Sequence, residues 1–143
     1  YHVLDERDVQ RIMAHPQVMI GSDGRLARMG DASSPHPRAY GTFPRVLGRY
    51  SRDLMLFPLE TAVHKMSGQV ASRLGVRDRG VLKAGNHADV VVFDPTTVAD
   101  RSTFEQPHQY PVGIPYVFVN GKAAIDNGTF TDARSGRVLK REK

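Results

Sequence analysis

The chain has 143 residues, 40% of them hydrophobic, with a formal charge of +5 and no cysteine. That length can bury a real core, the composition excludes a disordered or fibrous chain, and the missing cysteines exclude a disulfide framework and any thiolate metal site. No apolar run approaches the roughly 18 residues a membrane-spanning helix needs, so no membrane partner is expected.

The amino-terminal Tyr-His-Val-Leu-Asp-Glu lacks the basic-then-apolar build of a signal peptide. With the absence of cysteine, this points to a cytoplasmic setting and to a chain entered in mid-domain. Lysine and arginine number 20 against 15 aspartates and glutamates, and only the tail (Arg137, Lys140, Arg141, Lys143) is locally dense in them. No aromatic residues interleave with that tail, so the charge reads as a solvated surface and not as a nucleic-acid interface.

Residues 4–14, LDERDVQRIMA, predict a helix. Asp5, Glu6 and Asp8 fall where the helix dipole favours anions, and Leu4, Val9, Ile12 and Met13 form an apolar stripe. His15-Pro16 ends it. Residues 17–21 read as a buried strand, Val18-Met19-Ile20, running into Gly21, Ser22 and Asp23. Helix, short loop and buried strand make half of an α/β repeat.

Residues 24–41, rich in Gly, Ser and Pro, read as a long loop, and such loops tend to be functional. A helix is expected from Thr42 as N-cap with Pro44 in its first turn; Val46, Leu47, Tyr50 and Leu54 would share one face. A second starts around Pro58, with Leu59, Ala62, Val63 and Met66 at helical spacing and His64 on the surface beside Lys65. Ser67 caps a third, short one that stops at Leu74-Gly75. From Gly80 the pattern is strand-like: VLKAG, then ADVVVFD, then PYVFVNGKAAID. Asn120-Gly121 between two apolar runs is a hairpin signal, and Asn127-Gly128 suggests another turn. The chain thus divides into an α/β part, 1–75, and a mostly β part, 76–143.

Reactive groups in parallel α/β architectures sit just beyond the C-terminal ends of strands. Asp23 has that place, and the small Gly21 and Ser22 leave the backbone open to a ligand or metal. The alternative is that Asp23 caps a turn or helix. In PHPRAYGTFPRVLG, residues 35–48, His36 and Arg38 flank Pro37 and so have stiff backbone. An arginine held this way can grip a carboxylate through two hydrogen bonds. Arg45 is expected in the first turn of the next helix, against the dipole, which implies either a specific partner or a solvated guanidinium. His36 reads as a packed loop histidine before a metal ligand. The six histidines (2, 15, 36, 64, 87 and 108) contain no His-x-His pair, so they do not spell out a zinc site.

GSDG, HPRAYGTFPRVLG, LETAVHKMSGQVASRLG, DRGVLKAGNHADVVVFDP and VFVNGKAAIDNG together resemble the C-terminal third of an N-acyl-D-amino-acid deacylase, the D-aminoacylase branch of the amidohydrolase superfamily. The segment GVLKAGNHADVVVFD is common across that superfamily, whereas HPRAYGTFPRVLG is much more specific to the branch. The resemblance implies an α/β fold: a metal-dependent (β/α)8 barrel carrying a small β-sandwich domain built from both chain ends. On that basis 18–22 is the eighth barrel strand, 42–75 the helices after it, and 76–143 the C-terminal part of the small domain.

The resemblance also implies site roles. Asp23 would carry a proton from metal-bound water to the leaving amine and touch the metal. Arg38 would bind the substrate's α-carboxylate, with His36, Gly21 and Ser22 beside it. The cofactor would be zinc, its ligands mostly outside this chain. The substrate would be an N-acyl-D-amino acid, and the partner the N-terminal remainder of the barrel. A barrel needs about 250 residues and this chain offers one barrel strand, so alone it is expected to be inactive and to leave apolar helix surface exposed. The alternatives are another amidohydrolase, hydantoinase- or dihydroorotase-like, against which GTFPRVLG weighs, or a non-catalytic module derived from a deacylase tail.

Overall fold

The computed structural model describes residues 4–26, 28–30, 32 and 34–139. The expectations that involve His2, Lys140, Arg141 and Lys143 lie outside those residues.

Helix α1 (Glu6–Ala14) opens on Asp5, whose carboxylate accepts the Arg7 backbone N–H at 2.8 Å. This satisfies one of the free donors of the first turn. Val9 and Met13 pack on the core, while Leu4 and Ile12 remain 59% and 50% exposed, so only half of the predicted stripe is used.

Residues 17–22 are not a strand: Gln17 belongs to a turn and 18–22 have no regular secondary structure. A parallel strand exists through its ladder, and no described segment of this chain runs beside it to supply one. Instead the segment is tied to α3 (Leu59–Met66): Ile20 N–H donates to the Lys65 carbonyl at 3.1 Å, and the Lys65 ammonium donates to the His15 and Val18 carbonyls at 2.5 and 2.9 Å.

Helix α2 (Arg38–Arg45) has Pro37 in the cap position, five residues before the expected Thr42, which shortens the long loop to end at Pro37. Thr42 is therefore no cap; its hydroxyl donates to the Arg38 carbonyl one turn back, at 3.0 Å. Arg45 falls at the end of α2, contrary to the first-turn expectation, and its guanidinium pairs with Asp100 at 3.0 Å. The chain continues directly into a π-helical segment, Val46–Asp53. Its wider turn carries Val46, Leu47, Tyr50 and Ser51 inward and leaves Leu54, counted on a 3.6-residue period, 40% exposed. Gly48 is required here, because a Cβ would stand 2.4 Å from the Val98 carbonyl oxygen. Arg52 donates to that same carbonyl at 2.8 Å.

Helix α3 follows Pro58 as expected. Helix α4 (Gly68–Leu74) ends on Gly75 at φ 74°, a left-handed exit. Ser67 precedes α4, but its hydroxyl turns to the Gly80 carbonyl and caps nothing.

Among the described residues the β part forms a four-stranded antiparallel sheet in chain order: β1 (Val90–Val92), β2 (Tyr116–Val119), β3 (Lys122–Asp126) and β4 (Thr129–Phe130). Asn120 and Gly121 turn between β2 and β3 at φ 48° and 79°, and Asn127 and Gly128 between β3 and β4 at 46° and 78°, the paired positive angles a two-residue hairpin needs. VLKAG forms no strand; its place is turns that lead to β1. Arg79 pairs with Asp89 and donates to Asn120 Oδ1 at 2.7 Å, while Asp89 accepts the Asn120 N–H at 2.8 Å, so the hairpin tip is held from below.

The core joins both parts: Val46, Leu47, Tyr50, Phe57 and Ala62 from the helices and Val98 from beyond β1. Exposed apolar surface remains on the helices, with Phe43 at 42% and Val63 at 40%. No described helix is long and apolar enough to cross a membrane.

Candidate active site

Ser22 accepts the Gly24 N–H on its hydroxyl at 3.2 Å, closing a small turn over Asp23. Asp23 itself sits at φ 48°, a left-handed conformation that aspartate tolerates better than most residues. Gly24 lies against the first turn of α2, where a Cβ would come within 2.9 Å of the Ala39 Cα. That close approach brings the Asp23 carboxylate to the Arg38 guanidinium: Oδ2 and Nη2 are 2.8 Å apart, with the side chains 85% and 44% exposed. Among the described residues no backbone amide donates to the Asp23 carboxylate, so it is an ion-pair partner and not a helix cap. Where a Cβ of Gly21 would stand there is open space.

His36 belongs to the same cluster. Its Nδ1 accepts the Arg38 backbone N–H at 3.1 Å, serving the first turn of α2 where Pro37 offers no side-chain cap. Its ring meets the Phe104 ring edge-on at 4.9 Å. The sequence therefore named Asp23, His36 and Arg38 as neighbours of one site, and the fold brings all three together. It assigned Asp23 and Arg38 separate partners, whereas they contact each other.

Three features escaped sequence reasoning. Lys65 is 1% exposed in the last turn of α3, and its burial pushes the ammonium below its ordinary pKa. Its place three residues after Ala62, on the apolar face, was the available signal. Asp89 also went unremarked: burial raises its pKa, but the Asn120 N–H and the Arg79 guanidinium outweigh this and hold the carboxyl below the usual range. Finally, Tyr40 on α2 shares a hydrogen bond with His108 Nδ1 at 3.1 Å and packs edge-on against Tyr110 at 5.7 Å. No spacing rule links positions so far apart in the chain.

A family match decides what these residues belong to. The sequence matches the amidohydrolase family over residues 3–125. The chain belongs to the amidohydrolase family.

Within that family it is 55% identical over 141 residues, 99% of its own length, to the D-aminoacylase of Alcaligenes xylosoxydans xylosoxydans. It superposes on a D-aminoacylase crystal structure with a TM-score of 0.89, at 55% identity over 96% of this chain. It also superposes on the N-acyl-D-glutamate deacylase of Bordetella bronchiseptica, solved with zinc and a phosphonate mimic of the tetrahedral intermediate, with a TM-score of 0.85 at 47% identity over 97% of this chain. The amidohydrolase chain spans 28% of the length of each of these relatives. Among its described residues no three His, Cys, Asp or Glu side chains gather as a metal site would need, and Asp23, the one candidate ligand, is engaged by a guanidinium. By themselves these residues do not fit a zinc centre.

Proposed function

We propose that this amidohydrolase chain is the C-terminal part of a hydrolase that cleaves N-acyl-D-amino acids to a D-amino acid and a carboxylate. One observation carries the reading: an exposed Asp23 carboxylate and an exposed Arg38 guanidinium face each other at 2.8 Å beside open space at Gly21. The names of the relatives support the substrate class.

In such a reaction water adds to the acyl carbonyl carbon and the C–N bond breaks. One proton must travel from the water to the leaving nitrogen. Asp23 is the group proposed to carry it, because it is unburied, is not consumed as a cap, and ends a segment pinned by Lys65. Arg38 is proposed to bind the substrate's α-carboxylate. A guanidinium has five N–H donors in a fork, and Asp23 engages one terminal nitrogen, so capacity remains for a second carboxylate. His36 holds the backbone of Arg38, and Gly21 and Ser22 keep the approach clear.

The remainder of the protein belongs to the same proposal: a (β/α)8 barrel of which 1–75 is the end, with 76–143 part of its small β-domain, a cytoplasmic setting, and zinc held by ligands outside this chain. An apolar groove of about 840 Å³ between α2, α3 and the sheet, lined by Phe43, Leu47, Val63, Met66, Val91 and Phe93, supports a large apolar neighbour. Asp23, His36 and Arg38 do not line it.

The test is Asp23→Asn in the complete polypeptide, assayed on an N-acetyl-D-amino acid. The exchange keeps the shape and removes the base, so kcat should fall by about two to four orders of magnitude, with the circular dichroism spectrum unchanged. A variant with near-native kcat overturns the reading of Asp23.

A further inference from the structure

Residues 100–111 form a loop whose ends are brought together. At its base Ala99 and Val112 exchange both backbone hydrogen bonds, at 3.3 and 3.0 Å. Inside, the buried Ser102 hydroxyl donates to the Pro107 carbonyl at 2.6 Å, and Thr103 N–H donates to the Gln106 carbonyl at 3.1 Å. This is a self-packed Ω-type loop, a class that is frequently functional.

Its outward side chains converge on one short stretch of chain. Phe104 meets the His36 ring at 4.9 Å, His108 shares its hydrogen bond with Tyr40, Tyr110 packs on Tyr40, and Asp100 pairs with Arg45 at 3.0 Å. All four contacts land on residues 36–45, the stretch that carries Arg38. At the start of α2 the Ala39, Tyr40 and Gly41 N–H groups donate to the His36 and Pro37 carbonyls, and the Arg38 N–H, with no side-chain cap from Pro37, donates to the His36 ring. The Phe104 edge packs on that ring, and Phe104 is 58% exposed, so its burial adds little to the core.

We propose that the 100–111 loop is a positioning element for the carboxylate-binding arginine: Phe104 and His108 hold His36 and Tyr40, and through them the first turn of α2 that aims Arg38. This rests on the reading of Arg38 as the group that binds the substrate carboxylate. None of the loop residues touches the substrate in this account; they act on KM through Arg38.

The experiment is steady-state kinetics of the complete polypeptide on one N-acetyl-D-amino acid, with Phe104→Ala, Phe104→Tyr, Tyr40→Phe and Arg38→Ala, and the double variant of Phe104→Ala with Arg38→Ala. Loss of an aromatic edge contact should raise KM about two- to tenfold with kcat much less affected. Phe104→Tyr, which keeps the ring, should restore it. In the Arg38→Ala background Phe104→Ala should add nothing, because the group it positions is gone. A general loss of stability would instead persist in that background, and that result overturns the proposal. If Arg38→Ala raises KM while Phe104→Ala and Tyr40→Phe leave it unchanged, the loop has no positioning role and the arginine reading stands. If Arg38→Ala itself leaves KM unchanged, the arginine reading fails and the loop proposal fails with it. Should Phe104→Ala not fold, Tyr40→Phe, which removes a single oxygen, carries the same readout alone and in the Arg38→Ala background.

Discussion

Replacing Lys65 by alanine should loosen the segment that leads to Asp23. The ammonium is 1% exposed and donates to two carbonyls, His15 at 2.5 Å and Val18 at 2.9 Å. Removing the ammonium leaves the half-buried Val18 carbonyl without its donor, at about 1–3 kcal/mol, while the His15 carbonyl keeps the Val18 N–H; deleting the aliphatic stem leaves a void worth about 2–5 kcal/mol before relaxation. Against this, removing a buried charge recovers several kcal/mol of desolvation. The balance is a net loss of roughly 2–4 kcal/mol for Lys65→Ala. Lys65→Met fills the space and carries no charge, so it should cost less, on the order of 0–2 kcal/mol. The assay is native-state hydrogen exchange at Ile20, whose N–H is bonded to the Lys65 carbonyl at 3.1 Å and so reports opening at this joint. A loss of 2–4 kcal/mol is a roughly 30- to 1000-fold gain in exchange rate.

The pH dependence gives a second readout. Burial lowers the Lys65 pKa below its model-compound value of 10.5, so the unfolded chain binds the proton more tightly than the folded one. Below the folded pKa both states are charged and the penalty is full; as pH rises from there towards 10.5 the penalty is relieved. Wild type should therefore gain stability relative to Lys65→Met across that window. Unchanged Ile20 exchange in Lys65→Ala would refute the anchoring role, whatever the kinetics of the variant.

Arg38→Ala should act mainly on binding, raising KM through loss of a charge-assisted contact worth about 1.5–3 kcal/mol if fully sheltered and less at this half-exposed site; titration with a non-hydrolysed N-acyl-D-amino acid analogue measures it directly. Asp89 has a depressed pKa in the folded state, so the stability it contributes is present above the unfolded value of 3.8 and is lost as pH falls through the folded value. The stability difference between wild type and Asp89→Asn should shrink over that acid range in thermal melts. Gly48→Ala drives a Cβ to 2.4 Å from the Val98 carbonyl oxygen and should destabilise by about 1–3 kcal/mol or more, read as a lower melting temperature, whereas alanine at Gly21, where nothing lies within 4 Å, should be tolerated by the fold.

Much of the local structure was legible because its causes are local. Asp5 before an acidic first turn starts α1, Pro58 precedes α3, and Gly75 ends α4. Asn120-Gly121 and Asn127-Gly128 can take paired positive φ values almost nowhere but in hairpin turns, so the sheet's two tight connections were readable from the chain. Likewise GSDG and HPRAYGTFPRVLG named the residues of the candidate site, because small residues, a stiff Pro37 and an arginine are chemical facts of the sequence.

What the sequence could not determine depends on neighbours distant in the chain. Residues 17–22 carry strand-forming side chains, yet a strand is a property of a ladder, and with no adjacent strand the segment is held by Lys65 instead. Helix α2 starts at Arg38, its first N–H groups taken by the His36 ring and by the His36 and Pro37 carbonyls, and not at a helix-capping residue at Thr42. The π-helical turn moves Leu54 off the face that a 3.6-residue period assigns it, in a segment fitted against Val98 some fifty positions later. The charge of Lys65 reads as solvent-exposed until residues 15–18 fold over it. Residue identity sets which chemistry the chain can offer; the site itself appears only when packing brings Asp23, His36, Arg38 and Phe104 together, because its contacts are made across space by groups that no sequence period relates.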